Sequence, residues 1–324
     1  MIANLLIAIV AGSASALMFA STISGALISL LLLYLAPLPL MVAALGWGPR
    51  CATIGGIGAA TALGAIFGLP YCIAFVVAVA LPAWWLGHLT LLGRPVAQTI
   101  LTGNGVPPAA PVLEWYPVGR ILLWISGFAA LTTVGTLLTL GTDAASITGA
   151  LRQSLLKFIG PSDAASAGDI ERWIDAVVSI APVASTLVAI PALTLNLWLA
   201  ARITETSGRL HRPWPDLKAT ALPPMTLAAL SAAIAFCFTG GLLAILAQIL
   251  TVALIMAYAL VGLAVLHTLT LGSKNRALWL GCTYVIVVVF VWPILAIVFL
   301  GVADAIFGFR QRYLRKRPPP IPAS

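Results

Sequence analysis

Long apolar runs, each about the length of a membrane crossing, alternate along the chain with short polar clusters. No charged side chain occurs between Met1 and Pro49, and a helix needs roughly 20 apolar residues to cross a hydrocarbon core about 30 Å thick. That stretch therefore holds two spans. Backbone groups in lipid must be satisfied internally, so each long apolar run is expected to be a helix; an open sheet would leave its edges unpaired. The same length rule predicts spans at 2–20, 23–46, 51–67, 71–92, 120–141, 176–200, 222–239 and 242–270. The last apolar segment, 273–311, is too long for one comfortable helix and carries Pro293. It reads either as one long kinked span or as a hairpin of two short ones.

Composition agrees: 61% of residues are hydrophobic, 8% are charged, and the mean hydropathy is +1.08, outside the range of soluble domains. The expected fold is all-α, a polytopic transmembrane helical bundle. Its expected parts are a five-span N-terminal bundle at 1–141, an extracytoplasmic amphipathic loop at 142–175, a C-terminal bundle at 176–311 and a basic cytoplasmic tail at 312–324. The apolar N-terminus lacks a basic start and further spans follow at once, so it is expected to be retained.

Charge sets the orientation, because short cytoplasmic loops collect Lys and Arg. With the N-terminus inside, the inner loops around Arg50, around Arg94 and Arg120, from Arg202 to Lys218, and at Lys274 and Arg276 are all net positive. The outer loop sets Arg152, Lys157 and Arg172 against Asp143, Asp163, Asp169, Glu171 and Asp175. A hairpin turning near Trp292 and Pro293 would keep the basic tail inside, which favours an even count of ten spans. The net charge of +8 lies on inner loops and tail, where it suits anionic headgroups; no nucleic-acid partner is expected.

The outer loop reads as an amphipathic helix around Ile147–Ile159, a break at Gly160–Asp163, and a second helix from Asp169, which can cap it. The pair either lies on the membrane surface or covers an outward cavity as a lid. The inner loop around Trp214, between Pro213 and Pro215, is expected along the headgroup region.

The glycine-rich stretch Cys51–Gly64 resembles a phosphate loop at first sight. Gly56 and Gly58 are followed by Thr61 where a dinucleotide fingerprint needs glycine, and no acidic residue appears before Glu114. At a spacing of four, however, Ala52, Gly56, Ala60, Gly64 and Gly68 form a small-residue stripe, and Ala8, Gly12, Ala16 and Ala20 form another. Such stripes let helices approach closely in lipid. The partner is either another helix of this chain or a different membrane protein.

No hydrolase, Walker or zinc-protease motif is present, and no span carries a pair of carboxylates. No catalytic residue, metal ligand or cofactor is assigned, and an enzyme is not expected. Cys51, Cys72, Cys237 and Cys282 are scattered and read as buried thiols. The polar residues within spans are Asn4, Asn196, Gln248 and His267, with His88 and Trp84–Trp85 near the inner end of the fourth span. Each is either an interhelical hydrogen-bond partner or part of a ligand path. Asn196, just after a helix interruption at Pro191, and His267 are the leading ligand candidates, with Gln248 beside them.

The segments "PLPLMVAALGWGP" (37–49), "RPWPDL" (212–217), "LVGLAVLHTLT" (260–270) and "LGVADAIFGFRQRYLRKR" (300–317) resemble the YybS-like bacterial membrane proteins of alphaproteobacterial type. The resemblance implies a multi-pass protein of the bacterial inner membrane. It also implies a core similar to the substrate-binding membrane components of energy-coupling-factor transporters and to the rod-shape membrane protein. It carries no substrate and no site residue, and this chain has more spans than those components. The expected function is a substrate-binding or transport-type component for a small or amphipathic molecule. The alternative is a non-transporting scaffold for cell-envelope or cell-shape proteins.

Overall fold

The computed structural model describes residues 2–96, 112–159, 167–290 and 292–315. Among them the chain is helical apart from one short hairpin, so the protein is an all-α polytopic bundle and an integral membrane protein. Among the described residues seven helices are long and apolar enough to cross a membrane, with an eighth if a bent pair near the C-terminus is one span. The expected break at Gly160–Asp163 and the tail beyond Arg315 lie outside the described residues. The chain folds as two compact units, Met1–Phe128 with Pro191–Pro215, and Ala129–Ile190 with Asp216–Ser324.

In the first unit, α1 (Ile2–Ala20), α2 (Leu27–Leu35), α3 (Pro37–Trp47), α4 (Pro49–Phe67), α5 (Leu69–Phe75) and α6 (Leu81–Leu91) build four spans. Turns between spans are as short as one residue: Gly48 (φ +94°) and Gly68 (φ +91°) each end one helix, and Pro49 and Pro70 open the next. Only glycine adopts such a backbone without strain, and proline suits a first helical turn. Between α5 and α6 a π-helical turn, Val76–Ala80, precedes Pro82, whose missing N–H disrupts the regular ladder.

The small-residue stripes meet partners within this chain. A Cβ at Gly12 would overlap the carbonyl of Gly55, and one at Gly55 would overlap the carbonyl of Ala8, so α1 and α4 touch backbone to backbone. Ala8 and Gly12 are buried; Ala16 and Ala20 are half-buried. The stripe of α4 faces the following span: a Cβ at Gly56 would stand 3.3 Å from the Ala80 methyl, and one at Gly64 3.1 Å from Cβ of Cys72. Ala52, Gly56 and Ala60 are buried, Gly64 and Gly68 half-buried.

α7 (Val118–Leu140) and α9 (Ala167–Thr206) each start in one unit and end in the other. At 40 residues, or about 60 Å of helical rise, twice the hydrocarbon thickness, α9 joins the second loop helix and the following span in one continuous helix. It runs unbroken through Pro191, where an interruption was expected. In the second unit Thr186 of α9 donates to Thr133 of α7 at 2.9 Å, an interhelical bond of about 0.6 kcal/mol in membrane proteins. α8 (Ala144–Ile159) is held against α9 by Arg152, which reaches both Glu171 and Asp175.

One expected span is corrected and the last apolar segment is resolved. The segment 222–239 contains α10 (Met225–Phe236), only 12 residues or about 18 Å; Pro223 and Pro224 precede it and the Gly240–Gly241 turn follows. Hydropathy ran on through residues whose backbone cannot continue the helix. α10 packs on α11 (Gly241–Leu269), with Cys237 Sγ 3.5 Å from Thr251 Oγ1. The segment 273–311 is not one long span: it breaks at Trp292 and Pro293, where the turn was expected, into two short helices. α12 (Arg276–Phe290) has 15 residues, none buried; α13 (Ile294–Phe307) and α14 (Phe309–Arg315) meet at 67°. α13 runs antiparallel to α11 by a second close crossing, where a Cβ at Gly262 would overlap Ile297 O and one at Gly301 would overlap Tyr258 O. Cys282 on α12 is exposed, so it is not a buried thiol.

Candidate functional site

Between α6 and α7 the chain leaves the helical pattern. Strands β1 (Gly93–Val96) and β2 (Val112–Trp115) pair antiparallel, with Gly93 opposite Trp115 and Arg94 opposite Glu114. The Tyr116 amide donates to Leu92 O at 2.9 Å and closes the base of the hairpin. There a cleft of about 380 Å³ opens, lined by Leu92, Arg94, Glu114, Trp115, Tyr116 and Arg120 among others.

The charges of the cleft are unbalanced. Arg94 and Glu114 form an ion pair at 2.7 Å with both side chains well exposed, an arrangement worth little in stability. The Arg120 guanidinium stands 6.0 Å from the Tyr116 ring. Behind the wall lies Arg212, 7% exposed, donating to Thr90 O at 3.1 Å and to Tyr116 O at 3.0 Å, its guanidinium 5.9 Å from Trp115. Burial pushes its pKa down from the ordinary arginine range, which lies so high that it stays charged. Among the described residues no carboxylate pairs with Arg212 or Arg120. Thr90 lies in the last turn of α6, so the negative end of that helix offsets part of the Arg212 charge, roughly half a unit.

From this cleft an aromatic surface runs along α6 and α7. One turn from Leu92 is His88, stacked 6.2 Å from Trp84 and tilted 5.9 Å from Trp85. One turn beyond Arg120 is Trp124, 5.2 Å from Trp85 and 6.0 Å from Phe128. Trp124 is 42% exposed, and the buried Trp85 Nε1 has no hydrogen-bond partner among the described residues. Residues four apart on a helix share a face, so cations and aromatics follow one another along one track.

Each residue singled out from the sequence has its own local setting. Asn196 is buried and donates to Tyr34 O at 2.6 Å and Ala192 O at 2.9 Å. Tyr34 adjoins the α2–α3 junction, where Pro37 and Pro39 withhold two amide donors, so Asn196 ties that junction together. Its Oδ1 has no partner among the described residues. His267 Nδ1 lies 3.0 Å from Leu263 O on its own helix, and the ring is 6.0 Å from Tyr284. Gln248 is exposed on the same helix, 19 residues from His267, or about 28 Å. Sequence reasoning did not single out Arg212, Trp115 or Tyr116; the cue was the run Glu114-Trp115-Tyr116-Pro117, polar and aromatic before a span.

A second charged cluster is closed to ligands. Arg310 donates from Nε to Asp304 at 2.7 Å, from its backbone N–H to the same carboxylate at 2.8 Å, and from Nη1 to Thr220 O at 2.6 Å and Lys218 O at 3.1 Å. Both partners are buried, and the set ties the α13–α14 corner to the loop before α10. No group of three or more metal-ligating side chains occurs among the described residues. No family model, curated protein or solved structure matches the chain.

Proposed function

We propose that this integral membrane protein is a binding or transport-type component for a small amphipathic molecule, set in the bacterial inner membrane with both termini cytoplasmic. The observation that carries this reading is the continuous track from the Arg94–Arg120 cleft to the exposed face of Trp124. A polar head fits the cleft, and an apolar body fits the ring surface. The sequence resemblance to the YybS-like proteins, and through them to vitamin-transporter binding components, points the same way. The scaffold reading rests on small-residue faces, and those of α1 and α4 are spent on partners inside the chain.

The test is purification of the whole chain in a mild detergent, followed by native mass spectrometry of what accompanies it. A stoichiometric amphiphile, lost in Trp124→Ala, is the expected result. Stable envelope proteins with no bound small molecule would replace this function with the scaffold.

A further inference from the structure

We propose that the ligand of this track is anionic, a phosphate-bearing amphiphile whose head sits between Arg94 and Arg120 in front of the buried Arg212. The inference rests on the binding function proposed above and adds the sign and chemistry of the head.

Charge decides the matter. Glu114 answers one of the three guanidinium groups at the cleft, and the α6 terminus offsets only part of a second. An incoming zwitterion would leave that excess uncorrected, whereas a phosphate cancels it. The first turn of α7, which carries Arg120, adds the positive end of a helix on the same side.

Geometry agrees with charge. Arg120 stands over Tyr116; a guanidinium set against a ring keeps its N–H edge directed outward, which suits forked bonds to phosphate oxygens, while Arg212, whose terminal nitrogens are taken up by the Thr90 and Tyr116 carbonyls, contributes charge from behind. Arg94 is tied only by an exposed ion pair, which a phosphate can displace at little cost. The chain of the amphiphile then follows the ring face from Arg120 to Trp124, one helical turn away.

The experiment titrates the full-length protein in detergent with a short-chain phosphatidylglycerol, with the phosphatidylcholine of equal chain length, and with inorganic phosphate. Binding is read by native mass spectrometry and thermal shift. The expected result is retention of phosphatidylglycerol about tenfold better than phosphatidylcholine, with that preference falling about tenfold in Arg120→Gln, the loss of one charge-assisted contact. Arg94→Gln should act in the same direction, and Arg172→Gln, whose guanidinium pairs with Asp169 on α9, should leave it unchanged. Inorganic phosphate that displaces the lipid identifies free phosphate as sufficient; failure to displace it identifies the lipid headgroup with its chain, and either supports the anionic site. Equal binding of the two lipids, unaffected by Arg120→Gln but weakened by Trp124→Ala, overturns the anionic head and leaves the amphiphile function standing. If neither lipid binds and Trp124→Ala changes nothing, both readings fall.

Discussion

Two arginines in this protein are buried to almost the same degree, Arg212 at 7% and Arg310 at 6% exposed, and their surroundings differ in one respect. Arg310 has a carboxylate: Asp304 accepts from its side chain and its backbone, and two loop carbonyls take up further donors. Arg212 has only carbonyls, those of Thr90 and Tyr116. Removing an ion from water costs several kcal/mol unless another charge compensates it. The Arg310 corner is therefore a finished structural joint, whereas Arg212 stands behind an open cleft with charge still to be answered. Burial alone does not separate a structural ion from a functional one; the presence of a counter-charge does.

The sharpest way to break this comparison is to strand a charge. Asp304→Asn keeps the shape of the side chain but leaves the Arg310 guanidinium buried without its counter-ion. A loss of about 3–5 kcal/mol in unfolding free energy is expected in detergent. The double variant Asp304→Asn with Arg310→Gln should recover part of that loss, since no charge then remains. Arg212→Met is expected to cost less, about 1–3 kcal/mol, because it strands only two carbonyls and no ion. Equal losses for Arg212→Met and Asp304→Asn would mean that Arg212 has a counter-charge after all. A smaller effect still is expected for Asn196→Ala, about 1 kcal/mol by the scale of interhelical polar bonds, because it removes one bond to Tyr34 O and one to Ala192 O on its own helix. That value, with lipid binding unchanged, would place Asn196 with the Arg310 corner as a joint.

These contrasts also mark where the sequence was legible. The spans from Ile2 to Leu91 could be read because length and hydropathy in lipid leave a chain little choice but to form helices. The stripe at Ala52, Gly56, Ala60 and Gly64 was visible for the same reason. The α1 contact instead runs through Gly55, one residue off that stripe, because the spacing of four follows only one face of a helix that has neighbours on two. α10 was misjudged where apolar residues continue across Pro223–Pro224, since hydropathy does not register a missing amide donor, whereas the break at Pro293 was legible from the proline itself. The cleft was least legible. Arg212 reaches Thr90 and Tyr116 across separations of 122 and 96 residues, and no local period encodes such contacts.

A third setting for charge, fully exposed, completes the series and carries the smallest expected effect. Asp143 precedes α8; its carboxylate accepts from the Ser146 amide at 2.9 Å, while Ser146 Oγ accepts from the Asp143 amide at 3.4 Å, a reciprocal helix cap. The hydrogen bond from the Ser146 amide is the largest cause holding the Asp143 pKa below the usual carboxylate range. A depressed folded-state pKa means that the ionised group favours the folded state. The contribution is present above the ordinary aspartate pKa, about 3.9, and is lost as pH falls through the lower folded value. Hydrogen exchange at the first amides of α8 should therefore accelerate, beyond its intrinsic pH dependence, as the solution is acidified through that window. Asp143→Asn should keep most of the protection, because asparagine caps as well as aspartate, and should lose the pH dependence. An unchanged acid response in that variant would assign the acid sensitivity of α8 to Arg152 and its partners Glu171 and Asp175, the other ionic contact that orders this helix.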